Sequence, residues 1–343
     1  MRAKHFCLAL LLFYINSISA QDIHFTQFFT NPLILNPAQT GNFDGNYRIG
    51  FNFKAQWPWA ITGTVYNYHT ETPYVDFSFG EKKIKTGWMG IGFNFLNDEA
   101  GDGGLTYRRF SISYAYHQTF DREHRYILSV GVVGSYIIRS VNSNFYFNDQ
   151  WVDDVGFNTA LNPNEPIQRF SYSTFDLGAG LNFNAQVSDR VKLDAGFSML
   201  HINRPSGSFY NENEHIGYRY QASAGFQYNL GRRITLNVNG YYGNEKTAEE
   251  GIAGAMVGYG FFNSKSSTPS NVLYFGMYYR VKDALAPLAG YQYKKTRLLL
   301  NYDVPLSKLV SASKGNGGPE LSIVHVGGWE REFNNKKVYC PKF

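Results

Sequence analysis

The chain has 343 residues, a formal charge of +5 from 32 basic and 27 acidic side chains, 17% aromatic residues and only 17% charged residues. So mild a charge leaves no electrostatic footprint for nucleic acid, and a chain this rich in aromatics is not disordered. Of its two cysteines, Cys7 lies in a leader-like stretch, so the single remaining thiol of Cys340 forms no internal disulfide.

Residues 1–20 read as a signal peptide. Arg2 and Lys4 form a basic start, Phe6 to Ile15 a short apolar run, and Ser17 to Ala20 a small-residue cleavage site. A membrane-spanning helix needs about 20 apolar residues, more than this run supplies. No later run is long enough either, so any spanning must be by strands. The next expected unit, residues 21–44, is apolar and aromatic but has neither a period of two nor one of 3.6, so it reads as irregular. Two Asn-Pro steps, Asn31-Pro32 and Asn36-Pro37, punctuate it and bias it toward turns.

Residues 45–332 alternate faces repeatedly. Tyr126, Leu128, Val130 and Val132 oppose Ser129, Gly131 and Ser135; Phe110, Ile112, Tyr114 and Tyr116 oppose Arg109, Ser111, Ser113 and His117. Successive strand side chains point to opposite faces, so one face is apolar and the other polar and small. A soluble sandwich has the same pattern. Length separates them: many segments exceed ten residues, as tilted membrane strands do, whereas globular strands average ~5–6. The expected fold is therefore all-β, a transmembrane antiparallel barrel of about fourteen strands. The irregular segment is expected in or at its periplasmic mouth. Connections alternate between tight (Glu81–Lys83, Asp121–Glu123, Val187–Asp189) and long (57–68, 141–169, 203–216, 244–251, 305–319). Short periplasmic turns and long outer loops produce that alternation, with both termini periplasmic, although Asn263–Ser270 is long where a turn is expected and Lys282-Asp283 short where a loop is expected. Residues 333–343 read as a basic tail.

Site candidates follow from these assignments. Phe25, Gln27, Phe28, Phe29, Asn31, Pro32, Leu33, Asn36 and Pro37 are the candidate barrel plug or partner-binding residues, since such apolar groups are not left in water without cost. Phe145, Tyr146, Phe147, Trp151 and Phe157, in the long 141–169 insert, are candidate outer-loop anchors for a partner. Charges inside strands, among them Arg48, Lys54, Arg109, Asp176, Lys192 and Asp194, must face the lumen or rim, as paired fillers or as a pore lining. The scattered histidines lack metal-ligand spacing, and no serine sits in a nucleophile elbow. Asp98, Glu99 and Asp102 lack the spacing of a cation loop. No catalytic residue, metal site or cofactor is assigned.

Phe25-Thr26-Gln27-Phe28, Asn31-Pro32, Asn36-Pro37-Ala38 and Gly41 resemble the mature start of the PorP/SprF family of Bacteroidetes outer-membrane proteins. Gln56-Trp57, Gly318-Pro319-Glu320-Leu321-Ser322 and the ending Cys340-Pro341-Lys342-Phe343 are similar to further stretches of that family. Thr26, Phe28 and the 141–169 insert depart from its pattern. The resemblance implies a non-enzymatic component of the type IX secretion and gliding apparatus. Its expected partners are a secreted cargo or adhesin C-terminal domain, other secretion components including periplasmic lipoproteins, and outer-membrane lipid. The alternative is a plugged channel for a small or apolar solute.

Overall fold

The structure is a computed structural model that describes residues 25–57, 68–81, 84, 86–101, 104–121, 123–142, 150–152, 156–158, 160–161, 169–209, 214–246, 248–262, 269–307 and 315–328. The signal peptide at 1–20, the basic tail with Cys340, and Phe145, Tyr146 and Phe147 lie outside these residues.

Fourteen antiparallel strands close into one barrel. They are β1 (Tyr47–Gln56), β2 (Tyr68–Phe79), β3 (Gly87–Ala100), β4 (Leu105–Thr119) and β5 (Tyr126–Ser140), followed after an insert by β8 (Ser171–Gln186), β9 (Val191–Leu200) and β10 (Arg219–Leu230). The second half comprises β11 (Ile234–Glu245), β12 (Ala248–Phe261), β13 (Asn271–Arg280), β14 (Ala284–Tyr293), β15 (Thr296–Pro305) and β16 (Gly318–Gly327). The insert adds a small separate ladder, β6 (Trp151–Val152) with β7 (Gly156–Phe157). The barrel closes by pairing β1 with β16, from Tyr47↔Gly327 to Lys54↔Glu320.

The burial pattern decides between a soluble sandwich and a membrane barrel. In β5 the exposed positions are Tyr126, Leu128, Val130, Val132 and Tyr136, whereas Ser129 and Ser135 on the other face are buried. Phe175 is 71% exposed, Phe275 63% and Ile112 57%. A soluble protein would bury these side chains. Here the apolar face is the outside, as a lipid-facing wall requires, and the polar face is the interior.

Ends of the barrel are distinguished by their connections. The mouth where β1 starts and β16 finishes is the entry mouth, and the opposite one is the loop mouth. The longest connections, 57–67, 141–170, 201–218 and 306–317, all belong to the loop mouth. One expected outer loop is corrected: 244–251 is not a loop, because β11 and β12 pair out to Glu245↔Ala248 and turn tightly there. Lys246 takes the left-handed φ of 53° that so short a turn needs. Connection 262–270, at the entry mouth, is longer than its neighbours.

Val132 sits mid-strand on the lipid face, so Val132→Arg is expected to destabilise the barrel by about 2–4 kcal/mol. Urea unfolding in liposomes measures this; an unchanged midpoint would place Val132 away from lipid.

Candidate functional site

The site is the lumen and the segment that fills it. Three short helical turns make up that segment: a 3-10 turn at Phe28–Thr30, α1 at Pro32–Leu35, and a 3-10 turn at Pro37–Gln39. The expected irregularity thus resolves into single turns too short to show a helical period. Pro32 and Pro37 each occupy the first turn, where the missing N–H costs nothing. Asn36 caps the last turn, its Oδ1 accepting from Ala38 N at 2.9 Å.

The segment runs the length of the barrel. Its first described residues meet the loop mouth. Thr26 N donates to Glu320 Oε1 at 2.9 Å and Gln27 N to Glu320 Oε2 at 3.1 Å. Thr26 Oγ1 donates to Asp303 Oδ1 at 2.8 Å and accepts from Arg280 Nη1 at 3.1 Å. Lys54 Nζ lies 3.0 Å from Glu320 and 3.3 Å from Asp303, and Arg280 lies 3.0 Å from Asp303. These carboxylates are buried, and each is countered by at least one cation plus donors from the segment, as a buried charge requires. Gln27 completes the contact: its amide donates to Asn301 Oδ1 and accepts from Ser322 Oγ at 2.6 Å.

Midway, the segment's aromatics meet an apolar patch on the inner wall. Phe29 stacks on Tyr278 with ring centroids 5.2 Å apart, and Phe28 packs on Tyr241 at 5.4 Å. Phe29 and Leu35 join Ile252, Met256, Tyr274, Leu288 and Leu299 in one buried cluster. Asn31 Nδ2 donates to Thr72 Oγ1 at 3.0 Å, and Asn36 Nδ2 to Leu181 O at 2.8 Å.

Beyond Asn36 the chain lies in a groove of small residues. A Cβ at Gly131 would run into the Pro37 and Ala38 backbone, one at Gly180 into Asn36 Oδ1, and one at Gly90 into Thr40 O. Glycine is what lets the two backbones approach. At the entry mouth, Arg48 pairs with Asp76 through two bonds of 2.9 and 2.7 Å, and Asp76 also accepts from Gly41 N at 2.7 Å. Trp88 Nε1 donates to Gly41 O at 3.0 Å. His117 Nε2 lies 2.8 Å from Thr40 O and Nδ1 2.7 Å from Ser129 Oγ. A carbonyl only accepts, so Nε2 carries the proton and Nδ1 receives the Ser129 hydroxyl.

Beside the segment is a small recess bordered by Phe25, Phe28, Ile34, Leu35, Arg219 and Tyr241. Arg219 is held by Tyr241 OH at 3.1 Å and by Gln221, whose amide, oriented to satisfy both neighbours, also donates to Leu35 O at 3.0 Å.

The family described as type IX secretion system membrane protein PorP/SprF matches residues 17–323 of this sequence. The chain belongs to the PorP/SprF family. No curated protein matches it. Among solved structures, it is similar to a Pseudomonas aeruginosa FadL homologue at 10% identity and TM-score 0.50, over 84% of this chain and 92% of that one. It is also similar to the Pseudomonas putida toluene transporter TodX at 10% identity and TM-score 0.47, over 85% and 91% of the two chains. At such identities the likeness concerns the fold alone. Family membership and a lipid-facing barrel make this PorP/SprF protein an outer-membrane protein.

All nine segment residues singled out in the sequence, from Phe25 to Pro37, come together in the lumen, and Phe28 is the most exposed of them. Of the outer-loop candidates, Phe145, Tyr146 and Phe147 lie outside the described residues. Trp151 is 53% exposed and is paired by backbone with Phe157, of which only the backbone is described. Of the strand charges, Arg48, Lys54, Arg109 and Asp176 face the lumen, and Asp176 pairs with His201 at 2.9 Å. Asp98 and Glu99 lie in β3, not in a loop; Asp98 accepts from Thr70 Oγ1 at 2.6 Å. Sequence reasoning missed Asp76, Arg219, Arg280, Asp303 and Glu320. Their position on the polar face of strands was the available signal.

Two substitutions test the loop-mouth anchor and the glycine groove separately. Glu320→Ala leaves Lys54 with Asp303 alone and two segment N–H groups without an acceptor, and is expected to lower the unfolding free energy by about 1–3 kcal/mol for each such N–H. Gly131→Val is expected to raise deuterium uptake at Ala38 to Gly41 while the strand amides stay protected; unchanged uptake would mean the groove does not seat the segment.

Proposed function

We propose that this PorP/SprF protein is a non-enzymatic, plugged holder within the type IX secretion and gliding machinery. Its signal peptide, residues 1–20, is removed on export. The entry mouth faces the periplasm and the loop mouth faces outward. The barrel binds a secreted cargo or adhesin C-terminal domain at its loop mouth, and its periplasmic side meets other secretion components, including lipoproteins. One observation carries this reading: residues 25–43 fill the lumen from mouth to mouth with hydrogen bonds to the wall at both ends. A barrel whose lumen is occupied by its own chain offers its two faces, rather than its bore, for work.

A second reading, a plugged channel for a small apolar solute, has one observation in its favour. The recess bordered by Phe25, Phe28, Ile34, Leu35 and Tyr241 is lined largely by apolar surface, as a binding site for such a solute would be.

Affinity purification from native membranes in mild detergent is expected to recover a C-terminal-domain cargo or a secretion component. Recovery of neither would sink the holder reading. In planar bilayers the intact protein is expected to be silent, and a variant lacking residues 25–41 to conduct. Steady conductance by the intact protein would favour the channel instead.

A further inference from the structure

The direction in which the lumenal segment runs carries a topological consequence. Chain entry into β1, at Tyr47, and exit from β16, at Gly327, are register partners at the entry mouth. Just before β1, Gly41 and Asn42 are still at that mouth, bonded to Asp76, Trp88 and Asn184. Earlier in the segment the chain is at the other end. Thr26 and Gln27 bond Glu320, two residues from the loop-mouth end of β16, and Thr26 bonds Arg280, the last residue of β13. Phe25 borders a recess with Arg219, the first residue of β10 at its loop-mouth end.

We infer that the mature N terminus emerges at the loop mouth, on the face opposite to the C-terminal end of β16. Cleavage after Ala20 leaves four residues, Gln21 to His24, ahead of Phe25. Four residues span at most about 14 Å, at ~3.3–3.6 Å each. Returning to the entry mouth means crossing a membrane band about 25 Å tall, through a lumen that the segment itself occupies. The N terminus therefore belongs with the long connections 57–67, 141–170, 201–218 and 306–317, as part of the surface displayed there. The expectation that both termini share the periplasmic side is replaced: the C-terminal end of the barrel stays there and the N terminus does not. This inference rests on the leader being cleaved, and on the outward loop mouth proposed above only for which compartment each face meets.

The test places a short epitope after Asp22 in one version of the full chain and after Phe343 in another, each checked for heat-modifiable barrel migration. Antibody binding is read on intact cells and again after the outer membrane is permeabilised. The expected result is full N-terminal signal on intact cells and C-terminal signal only after permeabilisation. The reverse pattern supports opposite ends for the two termini and overturns the outward orientation of the loop mouth. Both epitopes silent until permeabilisation, or both visible before it, overturns the inference. A small probe gives a second readout free of epitope bulk: Asp22→Cys in a Cys340→Ser background is expected to react with a membrane-impermeant maleimide on intact cells, and reaction only after permeabilisation counts against the inference.

Discussion

A polar wall facing inward needs partners, and the rest of this structure follows from supplying them. Strands in lipid turn their apolar side outward because hydrocarbon satisfies no polar group. That leaves Asp76, Asn182, Asp303, Glu320 and Ser322 inside a cylinder where an unpaired polar group is expensive. In a wide pore, water would serve. Here a stretch of the protein's own backbone serves, and its N–H and C=O groups meet wall side chains at both ends. The same stretch brings apolar side chains, so the inner wall of β11 to β15 carries an apolar patch to receive them.

Much of the barrel was legible because its information is local. A period of two is written within a dozen residues, and the expected number of strands, about fourteen, is the number that closes the barrel. The segment was legible as a misfit, since Phe25, Phe28, Phe29 and Leu33 break the period. What the segment touches was not legible. Thr26 and Glu320 are 294 positions apart, and nothing local announces that a carboxylate in the last strand will receive amides from before the first. Nor does composition say which way the segment runs. The turn at Lys246 was missed for another reason: a lysine at φ 53° stands where Asn or Gly would have signalled a hairpin.

The two anchors are built differently. At the loop mouth, carboxylates receive backbone N–H groups and a hydroxyl, and the attraction is charge-assisted. At the entry mouth, Asp76 takes one N–H, Arg48 donates to the Gln39 carbonyl, and the neutral side chains of Trp88 and His117 meet the carbonyls of Gly41 and Thr40. Between them, the segment rests on glycines and an apolar patch that fix position by shape. Loss of one anchor therefore leaves the other to hold a shortened contact, so the segment is attached as a strip rather than as a single knob.

That strip crosses the seam where the barrel closes. Lys54 of β1 and Glu320 of β16 are register partners as well as an ion pair, and Glu320 is the residue that receives Thr26 and Gln27. At the other end of the same strand, Arg48 of β1 donates to Gln39 O while gripping Asp76 of β2. Closing β1 on β16 and seating the segment thus draw on the same side chains. The segment that precedes the first strand is thus held by the last.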